Sequence, residues 1–174
     1  PQDFTPDIVE AIDRNPVLCD WVHLPVQSGS TRVLAGMRRT YTRDQYLRVI
    51  DTIKAAKRDI VLSTDIIVGF PGETQEDFEQ TLSLVEEVDY AQMFSFKYSP
   101  RRGTDSMDMG DHIPEEEKSR RLHVLQELQR RLQLRRNQTW VGRDDEVLVE
   151  GRREKYSQWH GHTPQNRVLN FSDP

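Results

Sequence analysis

The spacing of apolar residues divides roughly the first 137 positions into alternating helices and strands. Apolar residues recur every three or four positions after Pro6, Thr42, Thr74 and Pro114, which predicts four amphipathic helices. Between these helices lie three segments typical of strands: DWVHLPV (20–26), DIVLSTDIIVGF (59–70) and AQMFSFKYS (91–99). The middle segment is apolar through most of its length, which predicts burial on both faces. This order predicts an α/β fold with parallel strands and right-handed crossovers.

Polar residues before these helices are spaced as capping residues. Thr5 precedes Pro6 at a predicted first helical turn, and Thr42 is followed three positions later by Gln45. Thr74 begins a similar pattern before the third helix. The fourth helix begins at Pro114 and has acidic residues in its first turn, where the helix dipole favours them.

The pattern changes near Gln138. The segments DEVLVEG, YSQWHGHT and NRVLNF are short and strand-like, and glycine, proline and asparagine separate them. We therefore predict one domain over residues 1–137 and a small β domain over residues 138–174.

Composition narrows the class of protein. Hydrophobic residues form 35% and charged residues 30% of the chain, which predicts an ordered, soluble protein. No apolar run approaches the roughly 20 residues that span a membrane, so we expect no membrane association. We also expect a monomer. The single cysteine, Cys19, favours a reducing compartment, hence the cytoplasm. A net charge of −5 argues against general attraction to nucleic acid but leaves a local basic face possible. The chain starts without Met and ends after a strand-like segment, so we expect it to be cut at both ends.

Three loops follow the predicted strands: PVQSGS (25–30), GFPGET (69–74) and YSPRRGT (98–104). Parallel strands place their binding loops at their carboxyl ends, so these loops form the candidate site. The alternative is that their glycines only turn the chain. In the third strand, alternation separates Phe94, Phe96 and Tyr98 from Lys97 and Ser99, and we expect the latter two to face the site.

The motifs HLPVQSGS, YTRDQYL, TDIIVGFPGETQEDFEQTL and FSFKYSPRRGT, in that order, resemble the second half of the radical S-adenosylmethionine (SAM) methylthiotransferases. The segment from VGRDDEVLVEG to GHTPQNRVLNF resembles the start of their RNA-binding TRAM domain. The resemblance covers essentially the whole chain. It implies the C-terminal half of a partial TIM barrel with parallel strands, followed by an incomplete small β-barrel.

The resemblance also implies an activity and its partners. The parent enzyme would add a methylthio group to C2 of N6-isopentenyladenosine in tRNA, through a radical derived from SAM. It would use two [4Fe–4S] clusters and a flavodoxin-type electron donor. Relatives that act on another tRNA adenosine or on a ribosomal protein are alternatives.

The resemblance gives roles to particular residues. Gln27 and Ser28 would bind SAM, Asp65 would accept from its ribose hydroxyls, and Arg39 would bind its carboxylate, with Arg38 one position away. Gly69 and Gly72 would let the backbone approach the adenine. Each has a structural alternative: a helix cap for Gln27, a surface position for Arg39 and an ion pair for Asp65. Arg101 and Arg102 would contact tRNA phosphates. Lys97 and Ser99 would also bind the substrate.

Two features limit what this chain could do alone. A cluster of the family needs three cysteines, and only Cys19 is present, so we predict no metal ligands and no catalytic residue here. The rival hypothesis is therefore a stand-alone RNA-binding module. The predicted fourth helix is rich in arginine and lysine, and its two interpretations are a solvated face and a phosphate-binding face. One departure from the family, His162 in place of an arginine, weakens an RNA contact at that position.

Overall fold

The computed structural model of the chain describes residues 1, 3–100, 103, 109–110 and 112–172. The helices are α1 (Pro6–Arg14), α2 (Thr31–Gly36), α3 (Arg43–Lys54), α4 (Gln75–Val88) and α5 (Glu115–Gln138). The strands are β1 (Trp21–His23), β2 (Val61–Val68), β3 (Gln92–Lys97), β4 (Leu148–Arg153), β5 (Gln158–His162) and β6 (Val168–Phe171), with a 3₁₀ turn at Glu154–Tyr156.

The first three strands form a parallel sheet in the order β1–β2–β3. This confirms the predicted α/β class and the parallel strand direction. Strand β1 is shorter than the predicted segment, but the chain stays beside β2 after it ends. The Leu24 amide donates to the Ser63 carbonyl at 2.8 Å, and the Gln27 amide donates to the Asp65 carbonyl at 2.8 Å. The backbone of Gln27 is thereby fixed at the carboxyl end of the sheet.

One face of this sheet packs against the helices. Its core joins Ile66 and Val68 of β2 to apolar residues of α3, α4 and α5. Tyr46 and Tyr90 are fully buried there, and their hydroxyls lie 2.8 Å apart. Burial raises the pKa of both phenols, so they stay neutral and hydrogen-bonded. This layer gives the loops at the strand ends a rigid base.

The other face of the sheet is open in part. Asp65 and Ile67 are half-buried, and Phe94 and Phe96 on β3 are 45% and 53% exposed. The prediction that the middle strand is buried on both faces was therefore wrong for its carboxyl half. The apolar residues on one face of β2 pack against the helices. Those on its other face line an open surface.

The helix starts follow the sequence closely. Thr42 with Gln45 and Thr74 with Asp77 both form complete capping boxes, as predicted. Thr5 precedes α1, with Pro6 in its first turn, but its side chain makes no capping hydrogen bond. The sequence did not predict α2, a six-residue helix capped by Ser30, whose hydroxyl accepts from the Val33 amide at 3.4 Å.

Strands β4, β5 and β6 form a separate antiparallel sheet. Its β5–β6 turn contacts the amino-terminal end of the parallel sheet: the Asp20 amide donates to the Pro164 carbonyl at 2.9 Å, and the Gln165 amide donates to Asp59 at 3.0 Å. This sheet therefore lies at the end of the parallel sheet opposite the candidate loops. Among the described residues, no helix has both the length and the apolar character needed to cross a bilayer.

Candidate functional site

An open pocket of about 790 Å³ lies at the carboxyl ends of the parallel strands. We name it the strand-end pocket. Its lining comprises Gln27, Gly36, Met37, Arg38, Arg39, Asp65, Ile67, Phe70, Phe96, Lys97, Tyr98, Ser99 and Gly103. This volume is within the usual range for small-molecule sites, and the lining joins apolar rings to a few polar groups, as such sites do.

Gln27 occupies an unusual backbone conformation at this pocket. Its φ is 72°, in the left-handed region that few non-glycine residues adopt. The conformation is fixed because Gln27 accepts a hydrogen bond from the Ile67 amide at 2.9 Å and donates its own amide proton to Asp65. In the part of the chain that the structure describes, its side-chain amide has no hydrogen-bond partner. A strained residue with an unpaired amide at a pocket is typical of a binding position.

Asp65 lines the same pocket from β2. Its carboxylate is 31% exposed, and Oδ2 lies 3.6 Å from Nε2 of His23. The alternative interpretation of Asp65 is an ion pair. Its neighbour here is His23, which is charged only when protonated. A carboxylate in this position can accept from a ligand hydroxyl.

The candidate arginines also lie at the pocket. Arg38 and Arg39 are both exposed and both contribute to its lining. The Arg39 amide bonds back to the Leu34 carbonyl of α2 at 2.9 Å, and Arg38 has a φ of 57°. The missed helix α2 therefore brings two guanidinium groups to the pocket, either of which suits a carboxylate.

Ser28 does not line the strand-end pocket, and its role as a SAM ligand stays a prediction. It is fully buried, and its hydroxyl lies 3.4 Å from the Thr81 hydroxyl of α4 and accepts from the Ser30 amide. The next residue, Gly29, leaves no space for a Cβ, which would lie 2.4 Å from the Thr81 Cα. The side chain of Ser28 therefore faces α4, because the QSGS segment packs closely against that helix.

The two glycines of the second loop do not line the strand-end pocket. Both have a φ of 74°, which explains why glycine occurs there. A Cβ on Gly69 would lie 2.4 Å from Cγ of Lys118. The aliphatic part of this lysine, from α5, therefore occupies the position that a side chain at residue 69 would take. The Gly72 carbonyl accepts from Arg32 at 2.6 Å. Both positions thus make close contacts within the protein, and their approach to adenine stays a prediction.

A buried ion pair, which sequence reasoning did not identify, holds the second loop against α5. Glu73 and Arg121 are both buried, and Oε2 of Glu73 lies 2.7 Å from Nη1 of Arg121 and accepts from the Gly69 amide at 2.7 Å. Burial raises the pKa of Glu73, against the opposing effect of these hydrogen bonds. The two members of the ion pair lie 48 positions apart in the chain, so no local pattern in the sequence indicates the pair.

Lys97 has the opposite orientation to the one we predicted. Its ammonium group pairs with Glu115 of α5 and lies 3.4 Å from the Ser119 hydroxyl, so its side chain faces the helix layer. Phe94 and Phe96 consequently occupy the open face. The alternation of β3 was correct, but the face was wrong, because the position of α5 decides which face is covered. Ser99 is exposed at the pocket lining, while Arg101 and Arg102 lie outside the described residues.

The basic residues of α5 are paired with acids. Lys118, Arg120, Arg121, Arg130, Arg131, Arg135 and Arg136 each lie within 4 Å of a carboxylate oxygen. Arg135 and Arg136 share Asp89, the last residue before the loop to β3. These pairs favour the interpretation of α5 as a structural helix.

The β4–β5 hairpin holds cations in a different setting. Arg152 lies 5.6 Å from the ring centre of Trp159, and Lys155 lies 5.3 Å from that of Tyr156. Among the described residues, Arg152, Arg153 and Lys155 have no carboxylate within 4 Å. We name Arg152, Arg153, Lys155, Tyr156 and Trp159 the hairpin patch. Exposed cations beside aromatic rings are characteristic of nucleic-acid surfaces; the signal in the sequence was the RREKY segment.

The described residues do not provide a metal centre. No group of three His, Cys, Asp or Glu side chains in those ranges could hold an ion. Cys19 is exposed in the segment between α1 and β1. One cysteine does not suffice for an iron–sulfur cluster, so the residues present do not fit such a group. They do fit SAM, since the strand-end pocket offers an amide, a carboxylate, guanidinium groups and an exposed ring.

The chain is similar in sequence to known proteins. Residues 1–85 match the model of the radical SAM superfamily. The tRNA-2-methylthio-N(6)-dimethylallyladenosine synthase of Solibacter usitatus is 61% identical over 174 residues, which is all of this chain and 39% of the relative. Proteins with the same name from Koribacter versatilis and Thermus thermophilus are 54% and 51% identical, over 100% and 97% of this chain. The chain thus spans about two fifths of the length of the relatives it matches.

Proposed function

We propose that this chain is the SAM-binding and tRNA-contacting part of a tRNA methylthiotransferase. Residues 1–85 match the radical SAM superfamily, and the whole chain is similar to part of such enzymes. The observation that carries this proposal is the strand-end pocket, where Gln27 and Asp65 meet two arginines and an exposed ring. The reaction of the whole enzyme would add a methylthio group to C2 of N6-isopentenyladenosine. The fold would be half of a partial TIM barrel followed by an incomplete TRAM barrel, with a boundary near Gln138.

Different residues of the pocket would bind different groups of SAM. The side-chain amide of Gln27 and the carboxylate of Asp65 would hold the ribose hydroxyls, because these groups together donate and accept. Arg38 or Arg39 would hold the carboxylate of SAM through a bidentate contact. Phe96 would exclude water from one side. When bound, SAM supplies the adenosyl group from which the chemistry of the superfamily starts. The iron–sulfur clusters, an electron donor and the cytoplasmic location belong to the proposal for the whole enzyme.

Binding of S-adenosylhomocysteine to the 174-residue chain, measured by isothermal titration calorimetry, tests the pocket. Asp65→Ala should weaken binding by up to roughly a hundredfold, since loss of a partner for buried ligand hydroxyls costs on the order of 1–3 kcal/mol. Asp51→Ala, at an exposed carboxylate on α3, is the matched control and should bind as the unchanged chain does. Equal affinities in both variants would show that Asp65 is structural.

The tRNA contact is assigned to the hairpin patch and to the loop after β3. The hairpin patch supplies cations without acidic partners and rings on which bases can stack. Arg101 and Arg102 come two and three positions after Ser99 in the chain and would contact phosphates near the modified base. In a chimera in which this chain replaces the matching part of the Solibacter usitatus relative, Arg101→Ala should lower both tRNA affinity and the rate of modification, whereas Arg135→Ala should change neither. An unchanged rate in Arg101→Ala would contradict this placement.

A second function, a stand-alone RNA-binding module, is favoured by the single cysteine of the chain. The two functions differ in what they require of the pocket. A module would bind RNA through the hairpin patch and would show no affinity for S-adenosylhomocysteine. An enzyme segment would bind both.

A further inference from the structure

His23 lies on the open face of the parallel sheet, below the strand-end pocket and outside its lining. Its ring nitrogen Nδ1 lies 2.8 Å from the Ser63 hydroxyl, and Nε2 lies 3.6 Å from Oδ2 of Asp65. The parallel register explains the cluster, because His23 is directly opposite Ser63, and Asp65 follows two positions later on the same face. One imidazole thus contacts Ser63 and also faces the carboxylate assigned to the ligand.

The ring is held on its sides by aromatic neighbours. Trp21 of β1 stacks on it at a centroid distance of 6.1 Å and an interplanar angle of 29°. Phe94 of β3 meets it edge to face, also at 6.1 Å and with an angle of 72°. With Ser63 below and Asp65 above, side chains from all three strands fix the imidazole. Its position is therefore well defined relative to the pocket.

The distance to Asp65 gives the cluster a charge-dependent property. At 3.6 Å a neutral N–H makes no effective hydrogen bond to the carboxylate, whereas an imidazolium at this distance attracts it. Histidine is the side chain that ordinarily changes charge between about pH 5 and 8. Among the described residues recorded in contact with this ring, Asp65 is the only charged group; Trp21, Ser63 and Phe94 are neutral. Arg38 and Arg39 line the pocket above, whereas the ammonium group of Lys97 pairs with Glu115 on the other face of the sheet.

We propose that the charge of His23 controls whether the Asp65 carboxylate is available to ligand hydroxyls. When His23 is neutral, Ser63 holds the ring and the carboxylate faces the pocket unpaired. When His23 is protonated, the imidazolium competes with the ribose for the same carboxylate. Ligand affinity should then fall as the pH is lowered through the range in which the ring gains its proton. The inference rests on the proposed assignment of SAM to this pocket.

The experiment measures the affinity of the 174-residue chain for S-adenosylhomocysteine at several values between about pH 5 and 8. The unchanged chain should lose affinity toward the acidic end by about two- to tenfold, the range that one net hydrogen bond represents. His23→Gln keeps a polar side chain but has no charge to gain, so its affinity should vary less with pH than that of the unchanged chain. His123→Gln, the same change at an exposed position of α5, should retain the full pH dependence.

A second variant keeps the test decisive if His23→Gln does not fold. Ser63→Ala removes the contact at Nδ1 and keeps the imidazole, so it should retain the pH dependence of the unchanged chain. Thermal unfolding of each variant verifies folding. A folded His23→Gln chain with the pH dependence of the unchanged chain would overturn the inference while leaving the SAM assignment intact. If the unchanged chain failed to bind S-adenosylhomocysteine at any pH, the proposed function and this inference would both be wrong.

Discussion

Helix α5 and the β4–β5 hairpin are both rich in basic residues, but they place them in different surroundings. On α5 every arginine and lysine lies within 4 Å of a carboxylate, and Arg121 is buried with Glu73. On the hairpin, Arg152 and Lys155 lie over aromatic rings and have no such partner among the described residues. We therefore expect the pairing of each cation, rather than the number of basic residues, to decide where phosphate binds, because a paired cation must first give up its carboxylate.

The largest difference between the two regions should appear in stability. Arg121→Ala leaves the carboxylate of Glu73 buried without its partner, which costs about 3–5 kcal/mol in the free energy of unfolding. Arg130→Ala removes an exposed pair with Glu127 and should cost less than about 1 kcal/mol. Urea denaturation of the two variants measures both values. Similar losses in the two would mean that the Glu73–Arg121 pair contributes no more than a surface pair.

A smaller effect is expected on RNA binding at the hairpin. Tyr156 is 59% exposed, and a base stacked on it contributes about 1–3 kcal/mol to binding. Tyr156→Ala should therefore weaken the binding of single-stranded RNA by that amount. Leu134→Ala, at a similarly exposed position of α5, should leave the affinity unchanged. The prediction is contradicted if the two variants bind equally, whether both are weak or both are as strong as the unchanged chain.

The smallest effect concerns acid. Hydrogen bonds from Arg120 and then Arg121 lower the pKa of Glu117 to about 2. Because the folded-state pKa lies below the unfolded value of about 4.3, the pair stabilises the fold above that value, and the contribution is lost as the pH falls toward 2. Glu117→Gln should thus be less stable at neutral pH, by less than about 1 kcal/mol for these partly exposed groups. Chemical denaturation between pH 7 and about 2.5 checks this. A difference that stays constant through that range would show that Glu117 does not act through its charge.

Local signals in the sequence predicted much of the fold. The capping boxes at Thr42 and Thr74 and the parallel strands follow from residues close together in the chain. The orientation of Lys97 did not, since the alternation of a strand gives two faces and only the packing of α5 shows which one is covered. The neighbour of Gly69 could not be predicted either. The glycine indicated a backbone that approaches something closely, and the neighbour in the structure is Lys118, 49 positions away.

The candidate site shows the same division. Gln27 and Asp65 line the pocket because strand ends in a parallel sheet converge, which the order of elements already implied. The Ser28 assignment did not anticipate Thr81, and the reading of Asp65 did not anticipate His23, because both neighbours come from other elements. Residues brought together by tertiary packing alone were the ones that sequence reasoning missed.

The salt dependence of tRNA binding tests the comparison most directly. Replacing Arg152, Arg153 and Lys155 together by alanine should flatten the slope of log affinity against log salt by about 2–3, at roughly 0.7–0.9 for each lost phosphate contact. The matched triple variant on α5, with Arg130, Arg131 and Arg135 replaced by alanine, should retain the slope of the unchanged chain, because those cations are paired with acids. A slope that flattens in the α5 variant and is unchanged in the hairpin variant would show that tRNA docks on the helix, contrary to this account.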